Sequence, residues 1–214
     1  MRIVPAILTN NASELKAMIN ACENVFDRAQ IDIVDGIYAD NKTVEPSSLG
    51  YIETNLMLDF QLMVKEPINW VEQCVRVGAE RIIGHIEAMG DQFAFVEKVT
   101  EEGRGVGFGL DLKTPVANIH PKLLTSLNAV LLMSVKAGFG GQEFDERVFS
   151  KIADLINIKN ESGADFSIIV DGGINPGNIK ALNQAGVDEV AVGRSLITGN
   201  IEKNLQQFND QLIA

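Results

Sequence analysis

The chain has 214 residues, 46% of them hydrophobic, enough to bury one sizeable core and consistent with a single α/β domain over 1–214. Its 18 Lys and Arg stand against 29 Asp and Glu, a formal net charge of −11 with no basic cluster, which excludes nucleic acid as an expected partner. The two cysteines, Cys22 and Cys74, are too few for a disulfide framework and read as buried thiols of a reducing, cytoplasmic protein.

Met1-Arg2-Ile3-Val4-Pro5 enters a strand-like run with no signal-peptide pattern, and no apolar run reaches membrane-spanning length, so no membrane partner is expected. Short apolar, β-branched runs predict strands at 2–8, 29–34, 56–63, 81–86, 105–110, 129–135, 166–170 and 189–192. Amphipathic stretches between them predict helices at 12–23, 69–77, 91–100, 146–161, 176–184 and 201–212. Eight such units are the count of a single-domain (β/α)8 TIM barrel, although the alternation alone also fits a doubly wound open sheet. The Gly105-x-Gly107-x-Gly109 run lies within a strand rather than opening a helix, so it is not read as a dinucleotide loop.

Two glycine-bearing turns follow the last two strands: Val170-Asp171-Gly172-Gly173 and Ala191-Val192-Gly193-Arg194-Ser195. Turns with bare backbone amides beyond strands seven and eight of a barrel make a phosphate cradle, which predicts a small phosphorylated ligand. Side chains two apart on a strand share a face, so Gln30, Asp32 and Val34 point one way on the second strand, and Asp59, Gln61 and Met63 do so on the third. Asp171, ending the seventh strand, would face Asp32 across the barrel mouth. Two opposed carboxyl groups suit removal of a proton α to a carbonyl on one face and its return on the other.

Pro5-Ala6-Ile7-Leu8, the 30–36 segment Gln-Ile-Asp-Ile-Val-Asp-Gly, Asp59-Phe60-Gln61-Leu62-Met63, His85-Ile86-Glu87, the 133–142 segment Met-Ser-Val-Lys-Ala-Gly-Phe-Gly-Gly-Gln and Val170-Asp171-Gly172-Gly173 resemble, in order and spacing, the ribulose-phosphate 3-epimerase family. That resemblance implies a barrel of the ribulose-phosphate-binding type that interconverts ribulose 5-phosphate and xylulose 5-phosphate through an enediolate. It casts Asp32 and Asp171 as acid and base. It likens Gly140-Gly141-Gln142 to a flexible cover over the substrate and Gly172, Gly173, Gly193 and Arg194 to phosphate donors, Arg194 standing where serine is usual, with Ser195 next. His85 matches a position near the substrate, Met63 shares the inward face, and a homo-oligomer is implied by analogy.

The departures concern the metal. The family holds a divalent ion with two histidines and the two aspartates, and both histidine positions are glutamine here, Gln30 and Gln61. Neutral amide carbonyls are weak ligands for zinc, so no tightly bound cofactor is expected; a loosely held Mg²⁺ on Asp32 and Asp171 is the remaining metal reading. Without an ion the two aspartates should repel and share a proton. Gln30 and Gln61 are then expected to aim amide donors at the enediolate, each worth about 3 kcal/mol.

Other departures are Ala6 for serine, Val34 for methionine, Ile37 for a polar residue and Lys136 for asparagine. Lys136 could supply positive charge or form a Schiff base with a ketose, or it is a solvated loop lysine. His85 with Glu87 also reads as a structural pair. His120 reads as a loop or helix-start residue, and Tyr38, Asn41 and Lys42 lie in the loop after the second strand without an assigned role. Three functions remain: a 3-epimerase, a Lys136-dependent lyase or other enediolate enzyme, and a non-catalytic phosphosugar binder.

Overall fold

Eight strands form close to their expected places: β1 (Arg2–Ile7), β2 (Arg28–Val34), β3 (Met57–Met63), β4 (Ala79–His85), β5 (Gly105–Leu110), β6 (Ala129–Met133), β7 (Ser167–Asp171) and β8 (Glu189–Val192), in a computed structural model that describes residues 1–213. Each pairs in parallel with the next, and β8 returns to β1, giving a closed barrel rather than an open sheet. Outward side chains such as Ile31, Ile33, Phe60, Leu62 and Phe108 pack under the surrounding helices. Inward ones, among them Val34, Met63, Ile83, Leu131 and Met133, form a second, smaller cluster inside the barrel. Alternation with period two therefore sorts each strand between two cores.

The outer layer comprises α1 (Ala12–Glu23), α2 (Val71–Arg76), α3 (Gln92–Glu101), α4 (Val148–Ser162), α5 (Ile179–Gln184), α6 (Arg194–Ile197) and α7 (Ile201–Ile213). Asn11 caps α1 by accepting from the amides of Ser13 and Glu14, and Asp91 caps α3 by accepting from Phe93 and Ala94. Gly163, at φ 65°, ends α4 in the left-handed conformation that costs glycine least. The 69–77 helix is shorter than expected because Pro67 opens a 3-10 turn, Pro67–Trp70, ahead of α2. After β2 and after β5 only 3-10 turns occur, Pro46–Leu49, Val116–Asn118 and Pro121–Ser126, where prolines interrupt helical pairing. Among the described residues no helix is long and apolar enough to cross a membrane. Cys22 and Cys74 are free and buried, and burial pushes their thiols up to about 11 and about 12.

The glycines of β5 explain the Gly-x-Gly-x-Gly run. A Cβ on Gly107 would lie 2.9 Å from Ile83 Cγ1, and one on Gly109 would lie 2.6 Å from His85 Cδ2. These positions make room for neighbouring side chains inside the barrel, a steric duty with no nucleotide involved.

Asp59 shares the inward face with Gln61 but sits one layer lower, away from the mouth. There Arg81 Nη2 donates to Asp59 Oδ2 at 2.6 Å and to Glu189 Oε2 at 2.8 Å, its Nη1 donates to Glu189 Oε1 at 3.1 Å, and Arg28 pairs with Asp59. This quartet plugs the barrel floor. Burial pushes the Asp59 carboxyl upward against the pull of both arginines, whereas Glu189, also opposed by burial, is held below its usual range by Arg81.

Candidate active site

At the opposite end, the carboxyl ends of the strands surround a cavity of about 530 Å³. Asp32 near the end of β2 and Asp171 at the end of β7 form part of its floor, with Met63 and Met133 beside them. The rim carries Gly140, Gly141 and Gln142 from the loop after β6, Gly172 and Gly173 after β7, and Gly193, Arg194 and Ser195 at the start of α6. Segments far apart in sequence meet here because a closed parallel barrel delivers every strand's carboxyl end to one face.

Beneath the floor, Gln30 Nε2 lies 2.8 Å from Asp32 Oδ1, 2.8 Å from Asp171 Oδ2 and 2.7 Å from the Gln61 amide. Both carboxyl groups thus hang on one amide nitrogen, close enough to flank a single carbon. The glutamines do not line the cavity: their donors point at the acids and at deeper partners, contrary to the expectation that they face an enediolate. Burial pushes both carboxyls upward, Asp171 to about 6 and Asp32 well above its usual range, the charge of Asp171 adding to the Asp32 shift.

The Gln61 amide has two orientations with different consequences for the acids. One of its terminal atoms faces Asp171 Oδ2 at 2.8 Å and Asp32 Oδ1 at 3.1 Å as well as Gln30 Nε2; the other faces His85 Nε2 at 3.0 Å and Met133 Sδ at 3.1 Å. If nitrogen faced the acids, its N–H groups would reach Asp171 and Asp32 and its oxygen would accept from His85 Nε2, but two NH2 groups would meet at 2.7 Å. If oxygen faces them, it accepts from Gln30 and from one protonated carboxyl, the shorter of the two contacts being with Asp171 Oδ2. The second arrangement sets the Gln61 oxygen against two carboxyl oxygens, and it calls for a proton on the aspartate pair.

The same geometry tests the metal that the family resemblance implies. The donor set is two carboxylates and two carboxamides without imidazole or thiolate, unsuited to a tetrahedral transition ion. Gln30 also turns N–H groups, which repel a cation, between the two acids. The residues present do not fit a divalent metal, Mg²⁺ included, and no chemical step below uses one.

Elsewhere the rim is tied together. Gln142 Nε2 donates to the Lys136 and Phe139 carbonyls at 2.6 and 2.9 Å, so this side chain staples its own loop as well as lining the cavity. Ser195 Oγ donates to the Ile174 carbonyl at 2.7 Å, joining the two glycine turns. Gly141 has φ 75°, and a Cβ there would fall onto the Arg194 guanidinium, so that cation lies directly against the cover loop.

Two expected substrate residues lie elsewhere. Lys136 is exposed, its ammonium 5.6 Å from the Phe139 ring centroid, and it lines a separate cavity of about 410 Å³ with Tyr38, Lys65, Glu87 and Asp111. A Schiff-base role beside the carboxyl pair is therefore corrected to a position outside that cavity. His85 is fully buried and contacts Gln61 and Tyr38 rather than the cavity. Asn41, placed in the loop after β2 without a role, donates from Nδ2 to the Gly138 carbonyl at 2.7 Å and ties that loop to the cover loop.

A closed parallel barrel with buried acids at its mouth and a glycine rim beyond β7 and β8 is the architecture of a TIM-barrel enzyme. A model described as the ribulose-phosphate 3 epimerase family matches residues 2–197, and the chain belongs to that family. It is an isomerase, of the epimerase type. The ribulose-phosphate 3-epimerase of Treponema pallidum (strain Nichols) is 29% identical over 206 residues, covering 95% of this chain and 94% of its own. That of Bacillus subtilis (strain 168) is 31% identical over 200 residues, covering 92% of each. Among solved structures, 3-hexulose-6-phosphate synthase from Salmonella typhimurium superposes with a TM-score of 0.70 over 100% of this chain and 99% of its own, at 13% identity, a likeness of fold.

Proposed function

We propose that the chain interconverts ribulose 5-phosphate and xylulose 5-phosphate at C3, using Asp32 and Asp171 as alternate base and acid and no metal. The observation that carries this reading is the pair of buried carboxyl oxygens sharing one amide nitrogen beneath a cavity rimmed by glycines. In it, Gly172, Gly173, Gly193, Arg194 and Ser195 take the phosphate, and Gly140, Gly141 and Gln142 cover the sugar.

With one proton on the pair, the ionised aspartate takes the C3 proton and becomes neutral. The electrons of the broken C3–H bond pass into the enediolate, so the single negative charge moves from carboxylate to substrate without an increase in buried charge. The other aspartate, already an acid, gives its proton to the opposite face of C3. Roles are exchanged at the end of the turnover, which suits a reversible reaction.

Ribulose 5-phosphate incubated with the protein in deuterated water should gain deuterium at C3 and yield xylulose 5-phosphate, followed by proton NMR. Thermal stabilisation by the sugar phosphate with no exchange at C3 would replace this reading with a non-catalytic binder. Arg194→Ser should raise KM about tenfold, the worth of one charge-assisted hydrogen bond, and leave kcat within about twofold. An unchanged KM would remove Arg194 from the phosphate site.

A further inference from the structure

We propose that Glu87, Tyr38 and His85 form a positioning chain that holds the Gln61 carboxamide with its carbonyl oxygen toward the carboxyl pair. The proposal deepens the epimerase reading, on which its kinetic consequence rests, while its structural content stands without it.

The chain starts outside the catalytic cavity. Glu87 Oε1 accepts the Asp111 amide at 2.7 Å, and Glu87 Oε2 lies 3.3 Å from Tyr38 Oη and 3.3 Å from His85 Nδ1. Tyr38 Oη is also 3.0 Å from His85 Nδ1. An ionised carboxylate only accepts, so the tyrosine hydroxyl donates to Glu87 and its oxygen is left to accept from the imidazole. His85 therefore carries its proton on Nδ1 and offers Nε2 as an acceptor.

The group facing Nε2, 3.0 Å away, is the Gln61 amide, and an acceptor there selects its NH2 end. The second N–H of that group meets Met133 Sδ at 3.1 Å. The carbonyl is left pointing at Asp32 and Asp171, where it accepts from Gln30 Nε2 at 2.7 Å.

Glu87 suits the anchoring role. Burial pushes its carboxyl up, but hydrogen bonds from His85, Thr114 and the Asp111 backbone act against that and hold it below its usual range. Lys65 and Lys136 line the same cavity, and Lys151 Nζ donates to the Asp111 carbonyl at 2.6 Å, so cations surround it. Gly109 leaves the imidazole its space. These residues lie beyond the reacting atoms and act through Gln61, as positioning residues.

The test is nitrogen NMR of the full chain labelled with ¹⁵N-histidine, with His120→Gln used to assign the signals. At neutral pH His85 should show a protonated Nδ1 and an unprotonated Nε2. Glu87→Gln should move the proton toward Nε2, because the anionic acceptor is gone. Tyr38→Phe deletes only a hydroxyl and keeps the ring that packs on His85. Both variants should lower kcat about tenfold with KM within about twofold, the effect of losing one oriented hydrogen bond. A wild-type His85 protonated on Nε2, a tautomer unmoved by Glu87→Gln, or unaltered kcat in both variants would overturn the proposal. Should the wild type show no exchange at C3, the epimerase reading fails and the tautomer measurement still decides this one.

Discussion

Asp171→Asn is expected to lose about 10³-fold or more in C3 exchange and, at neutral pH, to unfold at a higher temperature than the wild type. The loss follows from removing a group that must take or give a proton at the reacting carbon, a contribution of about 10²–10⁴ for a positioned acid or base. The gain follows from linkage. Burial, as the leading cause, raises the Asp171 carboxyl from 3.8 to about 6 in the folded protein. Between those values the folded chain binds a proton that the unfolded chain has released, so stability falls as pH rises through that window and levels off above it. Asparagine does not ionise, and its NH2 can donate to the Gln61 carbonyl as the neutral acid does. Activity in deuterated water and melting temperatures from pH 4 to pH 8 check both halves; a variant less stable than wild type at pH 7.5, or one that keeps a tenth of the activity, contradicts the shared-proton pair.

Arg81→Met should destabilise the fold by about 3–5 kcal/mol in urea titrations, the range for removing one partner of a buried ion pair. Arg81 is 7% exposed and bonds Asp59 and both oxygens of Glu189 across the barrel. Methionine would fill much of its volume yet leave Glu189 without its guanidinium and Asp59 with Arg28 alone. The arrangement as a whole need not be stabilising relative to an apolar plug, since desolvating four charges is itself unfavourable. A loss below about 1 kcal/mol would mean that water reaches the floor and screens the charges.

The eight strands were legible because each is a short apolar run bounded by glycine, proline or a polar cap, and the two glycine turns announced which ends would meet. Parity put Gln30, Asp32 and Gln61 on the inward face, where their side chains meet. It could not give depth: Asp59 obeys the same alternation as Gln61 yet belongs to the floor, because height along the barrel axis depends on the stagger between strands. The β2–β3 register sets Asp32 beside Gln61 and Gln30 beside Asp59. Nor could spacing show that the glutamines turn their donors inward, or that Tyr38, His85 and Glu87 connect, since these contacts join a loop, a strand and a turn through side chains alone. One signal was present and unread: alternate glycines on a strand mark space reserved for a neighbour, and the neighbour of Gly109 is His85.

The polar side chains along the barrel axis, from the Arg81 quartet through the amides to the paired acids, also dictate alignment. A one-residue slip of β3 would turn Asp59 and Gln61 outward beneath apolar helices and drive Phe60 and Leu62 onto the charged axis, a double penalty that greasy filling would not impose. The interior column thereby acts as a key that admits one stagger of the staves.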